Sequence, residues 1–280
     1  MAERLLILVE NLLLDAQFPN RLLVADQEAS GLTVDKVANA RRHPGDRWQA
    51  TTANADHTIT LTADELRAAS CLVIDRASNH LGKRFVLETS SDDFVTSRTV
   101  FDVTIPLVPG GQPADALGAV TDEGSWIKTF PPEAAYGWRL TSKAMGAGVV
   151  PQLTGVWLGL AWAPTQFLIN YPVADETAQI TSQTTVSPAG WRGRQRPAAV
   201  RAGEITIEPG DDTDYDAIRY QVLGLLGKGG FPGWLIHDRI AGGRGALLVA
   251  LPESTRLDFG RTKWPFRKLT VPFEEEQPLP

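Results

Sequence analysis

The sequence predicts a mainly β protein with two domains: an N-terminal jelly-roll β-sandwich and a C-terminal α+β domain with a long β-hairpin and one main helix. Two observations indicate this fold class. Short apolar or alternating runs, separated by Gly, Pro, Asn and Asp, follow one another along the first 160 residues, as is typical of a sandwich. After them, an alternating Thr-rich stretch and a basic segment precede one clear helical pattern. With 280 residues, 43% of them hydrophobic, the chain is long enough for two cores.

The elements of the N-terminal domain are predicted from local patterns. An apolar strand is expected at residues 4–14, and Thr62 followed by Glu65 resembles a capping box that begins one helical turn. Cys71 lies in an apolar run and is predicted to be a small buried residue. The other strands of this domain are expected at residues 58–62, 71–75, 84–89, 97–105, 124–130, 136–142 and 156–160.

The predicted domains are residues 1–160 and 161–280. The apolar stretch 149–169 is about as long as a membrane span. Pro164 and other polar or proline residues interrupt it, so we expect buried strands joined by a bend. Whether the strand at residues 4–14 completes the jelly roll or joins the C-terminal domain is not decided by the sequence.

The C-terminal domain is predicted to contain the hairpin, the helix and three further strands. The arms of the hairpin are expected at residues 176–186 and 198–208. The helix begins after an acidic segment that can cap its first amides, and it ends at a glycine-rich segment. Its apolar stripe is Ile218, Val222, Leu225 and Leu226, and the later strands are expected at residues 233–237, 246–251 and 266–273.

The composition excludes several classes of function. A formal net charge of -6 argues against general nucleic-acid binding, which requires neutralising many phosphates. The lone Cys71 excludes an intrachain disulfide and a Cys-rich zinc site, and the four His residues are scattered. No secretory signal or membrane segment is evident, so the protein is expected to be made in the cytoplasm.

The candidate catalytic and ligand motifs have simpler explanations. The acidic cluster around Asp211 and Asp216 fits helix capping better than a calcium loop, which needs a Gly and a Glu in register. Lys228 follows a Gly, but the glycines come after the helix and not before it, unlike a phosphate-binding loop. No nucleophile or acid/base pair can be named. Three tryptophans with strand patterns around them are predicted to be core or interface residues and not a sugar platform: Trp138, Trp157 and Trp234. We therefore expect no enzymatic activity, no metal and no cofactor.

The tip between the two hairpin arms is basic and aromatic. It carries Trp191, Arg192, Arg194 and Arg196. Arg and Trp are favoured at interface hot spots, so we rank a subunit contact first. A solvated loop ranks second, and binding of single-stranded nucleic acid by charge and stacking ranks third.

The N-terminal half resembles a galactose-binding-like (discoidin-type) jelly roll. The residues that carry this resemblance are Trp48 after a polar segment, the loop after the buried strand at 71–75, the strand at residues 85–93 running into a Ser-Asp turn, and the segment 130–140 with its aromatic, Arg139 and Leu140. The resemblance covers roughly residues 25–160 and implies the fold alone, because the sugar-binding loops of that family vary.

The C-terminal half resembles the ring-forming domain of distal tail proteins from long-tailed bacteriophages. The similar features, in order, are the long hairpin with its Gly/Arg-rich tip, the segment 205–207, the helix after Asp211, the segment 233–236 and the final strand ending at Glu274. The resemblance implies a homo-oligomeric ring that continues the tail tube, and it implies no catalytic residues.

These resemblances together imply a structural virion protein of a phage tail tip or baseplate. Its expected partners are copies of itself, the tail tube, and fibre or other baseplate proteins, with DNA passing only through the lumen. The alternative is a carbohydrate-binding adhesin whose jelly roll binds host-surface glycans. The order of the ring, the neighbouring tail proteins and the host receptor are left open by the sequence.

Overall fold

The computed structural model of the chain is mainly β, so the predicted fold class is confirmed. It describes residues 5–14, 17–18, 20–38, 46–77, 79–106, 119–120, 125–164, 166–170, 183–186, 192–195, 202–208, 216, 233–237, 245–250, 259–261 and 267–275. The strands are β1 (Leu5–Leu8), β2 (Leu22–Ala25), β3 (Trp48–Gln49), β4 (His57–Asp75), β5 (Arg84–Ser90), β6 (Arg98–Thr104), β7 (Ala119–Val120), β8 (Trp126–Ser142), β9 (Gln152–Leu153), β10 (Gly155–Gly159), β11 (Gln166–Asn170), β12 (Gln183–Val186), β13 (Arg192–Gln195), β14 (Ala202–Glu208), β15 (Gly233–His237), β16 (Gly245–Ala250), β17 (Phe259–Arg261) and β18 (Arg267–Glu275). A short 3-10 helix, Val34–Ala38, lies between β2 and β3.

The chain divides into two compact units, which are described separately. The first takes in Met1–Ala163, Gly233–Ala246 and Pro278–Pro280, and the second takes in Pro164–Pro232 and Leu247–Gln277. The domain boundary at residues 160/161 remains a prediction.

The first unit is built on an antiparallel sheet in the order β10-β4-β8-β5-β6. In the same sheet, β2 also pairs with β4 and β7 pairs with β8. The strands β3 and β9 form a separate two-stranded sheet. The long strands β4 and β8 pair along nearly their whole length. Ile59 and Leu61 in the first part of β4 lie in the same hydrophobic core as Leu72 and Ile74 in the last part. Because alternate residues face opposite sides of a strand, the register shifts between these parts keep both on the core side.

Several aromatic rings lie in this core or beside it. Trp138, Trp157 and Trp234 are buried, as predicted, and so is Cys71, but of these four only Trp138 belongs to the core cluster. Trp157 and Trp234 meet edge to face with ring centroids 5.7 Å apart. Another series of neighbouring rings, with centroids 5.9 to 6.4 Å apart, is Phe85, Trp126, Phe101, Phe130 and Trp138.

Two local predictions in this unit are wrong. The helical turn expected after Thr62 is part of β4, since Arg67, Ala68 and Ala69 pair with β8. Sheet pairing here overrides a weak local helix signal. The strands expected at 124–130 and 136–142 are one continuous strand, β8, which passes through two prolines without ending.

The N-terminal strand is shorter than predicted. It ends at Leu8, and Leu5–Leu8 pairs antiparallel with β15, from Leu5 opposite His237 to Leu8 opposite Trp234. Beyond the strand the chain forms a local turn in which Oδ1 of Asn11 accepts from the amide of Leu13. The strand at residues 4–14 is therefore corrected to β1.

In the second unit, β14 is a central strand that pairs with β11 on one side and β18 on the other. β16 and β17 both pair with β18. This pairing corrects the hairpin. The second predicted arm contains β14, whose partner is β11, whereas β12 pairs with β13, with Val186 opposite Arg192.

The predicted helix after Asp214 lies outside the described residues, apart from Asp216, which is helical and exposed. Strands β15, β16 and β18 fall within a few residues of the predicted ones. Among the described residues, no helix is both long and apolar enough to cross a membrane. The stretch 149–169 forms β9, β10 and part of β11, in keeping with the strands expected there.

Candidate binding surface

The side of the first unit's sheet that faces away from the core is the candidate site, and it is called the outer face below. Trp138 and Leu140 of β8 lie in the core, so Gly137 and Arg139 face the other way. Two rows of directly opposed residues cross this face. One row is Val24, Thr60, Arg139 and Glu88, and the other is Leu22, Thr62, Gly137 and Ser90. Directly opposed residues of antiparallel strands share a face.

The turn between β5 and β6 is held by side-chain hydrogen bonds. The Ser90 hydroxyl accepts from the amides of Asp92 and Phe94 at 3.1 and 2.9 Å. The carboxylate of Asp92 accepts from both the amide and the hydroxyl of Thr96, and these bonds hold the pKa of Asp92 below its usual range. Asp93 and Phe94 have φ of 51° and 63°, a conformation that non-glycine residues rarely adopt. Such strain persists where the surroundings fix it, and it clusters at binding sites.

This turn places the Phe94 ring on the outer face. A Cβ added to Gly137 would lie 2.9 Å from Cε2 of Phe94, so the ring occupies the space left by the missing side chain. The guanidinium carbon of Arg139 lies 4.5 Å from the centre of the same ring. The Phe94 ring therefore has an edge over Gly137 and the Arg139 guanidinium over its face, which is a cation–π arrangement.

A carboxylate fixes the other side of the Arg139 guanidinium. Nε of Arg139 donates to Oε2 of Glu88 at 2.9 Å, and the Ser97 hydroxyl donates to Oε1 of Glu88 at 2.9 Å. The hydrogen bond from Arg139, helped by Ser97, keeps the pKa of Glu88 below its usual value. The ion pair is therefore complete at neutral pH and is lost only as the pH falls through this lowered pKa.

Three cations on and around the outer face have a carboxylate partner. Arg84 donates from Nε to Oδ1 of Asp102 at 2.6 Å, and Lys143 donates to Oδ2 of Asp56 at 2.8 Å. Arg139 is paired with Glu88. A surface whose cations are neutralised in this way, with hydroxyls and exposed apolar groups beside them, suits a neutral polar ligand better than a strongly anionic one.

The opposite end of the same face is apolar. Leu22 and Val24 of β2 are 61% and 47% exposed, while Leu23 between them is buried. Between β2 and β8 lie Thr60 and Thr62, which are short and partly exposed. The outer face thus combines one aromatic ring, one held guanidinium, a carboxylate, hydroxyls and two aliphatic side chains.

The four residues predicted as subunit contacts are placed as follows. Arg192 and Arg194 lie on β13, opposite Val186 and Thr184. Trp191 and Arg196 lie outside the described residues. The structure thus locates two of the four on one short strand, and the contact role stays a prediction.

The residues of the outer face were not predicted as a site. Leu22, Glu88 and Arg139 come from three strands that are far apart in the chain and are brought together by register, and Phe94 is added by the turn after β5. A Ser-Asp turn after a strand and an Arg in segment 130–140 were noted only as signs of fold. Among the described residues, no group of three His, Cys, Asp or Glu side chains is placed to hold a metal ion.

Solved structures similar to this chain include carbohydrate-binding modules. One is chitosan-binding module 1 from a chitosanase/glucanase of Paenibacillus sp. IK-5, with a TM-score of 0.40 and 14% identity, covering 53% of this chain and 98% of that one. Another, from Clostridium perfringens, is a CBM32 module in complex with GalNAc-β-1,3-galactose, with a TM-score of 0.35 and 13% identity over 50% and 95% of the two chains. The family 32 CBM of NanJ from C. perfringens, in complex with galactose, has a TM-score of 0.35 and 12% identity over 51% and 94%.

No protein-family model and no curated protein matches the chain. Because the TM-scores above lie below 0.5, the proposals below rest on this chain's own residues.

Proposed function

We propose that the first unit is a non-catalytic glycan-binding module and that the outer face is its binding site. The observation that carries this proposal is the arrangement of Phe94, Arg139 and Glu88. An aromatic ring that is fixed at a protein surface can stack against the apolar face of a sugar ring. A guanidinium and a carboxylate fixed beside it supply donors and an acceptor for neighbouring hydroxyls.

The fixed geometry matters for affinity. A flexible arginine loses rotamer entropy when it binds a ligand, at a cost of about 1 kcal/mol for each ordered side chain. Here Arg139 is already held by the ring of Phe94 and by Glu88, and Phe94 is held by its turn. The strained turn and the missing side chain at Gly137 therefore serve a preformed site.

We expect Phe94→Ala to reduce glycan affinity about tenfold or more, because it removes the stacking surface and one support of Arg139. Gly137→Ala should cause a similar loss although it keeps the ring, since the new methyl group occupies the ring's place. The measurement is calorimetric titration of the full chain with a neutral oligosaccharide panel. The panel consists of β-1,4-linked glucose, N-acetylglucosamine, galactose, mannose and xylose series, each from one to six units.

The control for this experiment is Tyr136→Ala. Tyr136 is an exposed aromatic residue on β8 that belongs to neither of the two rows. Its substitution should leave affinity unchanged. Equal losses in the Phe94 and Tyr136 variants, or no binding of any panel member by the wild-type chain, would contradict the proposal.

A second candidate function is that of a structural virion protein that forms a ring at a phage tail tip. The observation that favours it is the two-stranded β12/β13 ribbon, whose strands lie in the chain between the paired strands β11 and β14. A two-stranded ribbon gains partners for its edges when subunits assemble. A tail-tip ring protein and a glycan-binding module are compatible roles for different parts of one chain.

The ring proposal predicts closed oligomers. We expect light scattering of the purified chain to give a mass of several subunits, and negative-stain images of the same peak to show rings with a central hole. Replacing Trp191 with Ala and Arg192, Arg194 and Arg196 with Ser should leave folded monomers. Rings that persist in this variant would rule out the basic tip as the contact.

A further inference from the structure

We propose that the outer face takes an extended chain of at least three sugar units, lying across the strands, and not a single terminal sugar. This inference rests on the proposed glycan-binding function and defines its ligand class. It starts from the separation of the two groups of contact residues on the face. Glu88 and Arg139 lie on β5 and β8, whereas Val24 lies on β2 in the same register row.

The length of the row sets the length of the ligand. From β2 to β5 the row crosses β4 and β8, which is three strand spacings or roughly 14 Å. A single pyranose ring is about as long as one such spacing. A sugar stacked on Phe94 and held by Glu88 therefore does not reach Val24, whereas a chain of three units does.

The floor between the two ends is open to such a chain. Thr60 and Thr62 occupy the β4 positions of the two rows, and both are partly exposed. Their short side chains leave space above the sheet, and each hydroxyl can donate and accept hydrogen bonds. Gly137, the next residue of the second row, is covered by the ring of Phe94, so the open part of the floor begins at the two threonines.

The far end has the chemistry for an apolar sugar face. Leu22 and Val24 are unusually exposed for aliphatic residues on a strand that pairs with the sheet. They lie side by side on the outer face, because both flank the buried Leu23. Together they form a second apolar platform, and the paired charges around the face fit a neutral chain.

The test is calorimetric titration of the full chain with each series of the neutral panel, from one to six units. We expect affinity to rise about tenfold or more between one and three units and then to level off. In the double variant Leu22→Ser with Val24→Ser, this rise should disappear while affinity for the single sugar is kept. Leu66→Ser, at an exposed site outside both rows, is the control and should retain the full rise.

The outcomes separate the two proposals. If single sugars bind as tightly as trimers, or if the Leu22 and Val24 variant keeps the rise, the chain-length inference is overturned and glycan binding stands. If no member of the panel binds the wild-type chain, glycan binding itself fails. The wild-type length series needs no variant, so a poorly folded variant does not leave the inference untested.

Discussion

Gly159→Ala is expected to destabilise the first unit by about 3 kcal/mol or more, the largest effect we predict for a single methyl group. Gly159 lies on β10 opposite Cys71, and the segment after β1 crosses directly over it. A Cβ at this position would lie 3.0 Å from the carbonyl carbon of Glu10 and nearer still to its oxygen. Because the obstacle is backbone, no side-chain rotation relieves the overlap.

The measurement is the free energy of unfolding in urea, compared with wild type. Gly31→Ala is the matched control: Gly31 has φ of 74°, but an added Cβ there meets nothing within 4 Å. Gly31→Ala should lower the free energy of unfolding by about 1 kcal/mol, from backbone strain alone. If Gly159→Ala proved no more destabilising than Gly31→Ala, the close approach of Glu10 to β10 would be wrong.

Asn11→Leu is expected to produce the second large effect, a loss of about 3 kcal/mol of stability. The Asn11 side chain is fully buried and joins the N-terminal segment to β10. Its Nδ2 donates to the carbonyl of Val156 at 3.0 Å, and its Oδ1 accepts from the amides of Leu13 and Leu158 at 3.2 and 3.3 Å. Leucine of similar size would leave all three backbone groups buried without these partners.

Asn11→Asp separates hydrogen bonding from volume. The aspartate carboxylate can still accept from the amides of Leu13 and Leu158. Its second oxygen, however, replaces the Nδ2 donor and faces the carbonyl oxygen of Val156. Burial and this repulsion would raise the pKa of the new carboxyl in the folded state. Stability of this variant should therefore be greatest at low pH and be lost as the pH rises through the raised pKa. A flat pH profile relative to wild type would contradict the assigned bonds.

Strand positions were largely predictable because they depend on local pattern. The alternation in Arg84–Ser90, the apolar run Gly155–Gly159 and the segment Gly233–His237 each matched a strand to within two residues. The burial of Trp138 and Trp157 also followed from their strand contexts. In these segments the same side chains that define the pattern also face the core, so local and tertiary preferences agree.

Strand partners were not predictable in the same way. The segment after Thr62 carries a helix-start signal of about one turn, which is weak compared with pairing along a long strand. β14 was paired with the wrong arm, because Ile205 and Ile207 identify a strand but not its neighbour. The first strand ends at Leu8, although the apolar pattern extends it to Leu14.

The candidate site depends still more on tertiary structure. Composition and local pattern determined that this chain is mainly β, that it has large cores, and that several tryptophans lie inside them. The outer face exists only once register has aligned Val24, Thr60, Arg139 and Glu88 across four strands. Phe94 lies on this face because a strained turn directs it there and because Gly137, on another strand, leaves room for its ring. The alternation of apolar and polar residues predicts which side chains are buried, because burial repeats with the two-residue period of the strand. Register depends on contacts between distant segments, so the tertiary structure alone decided which exposed side chains meet.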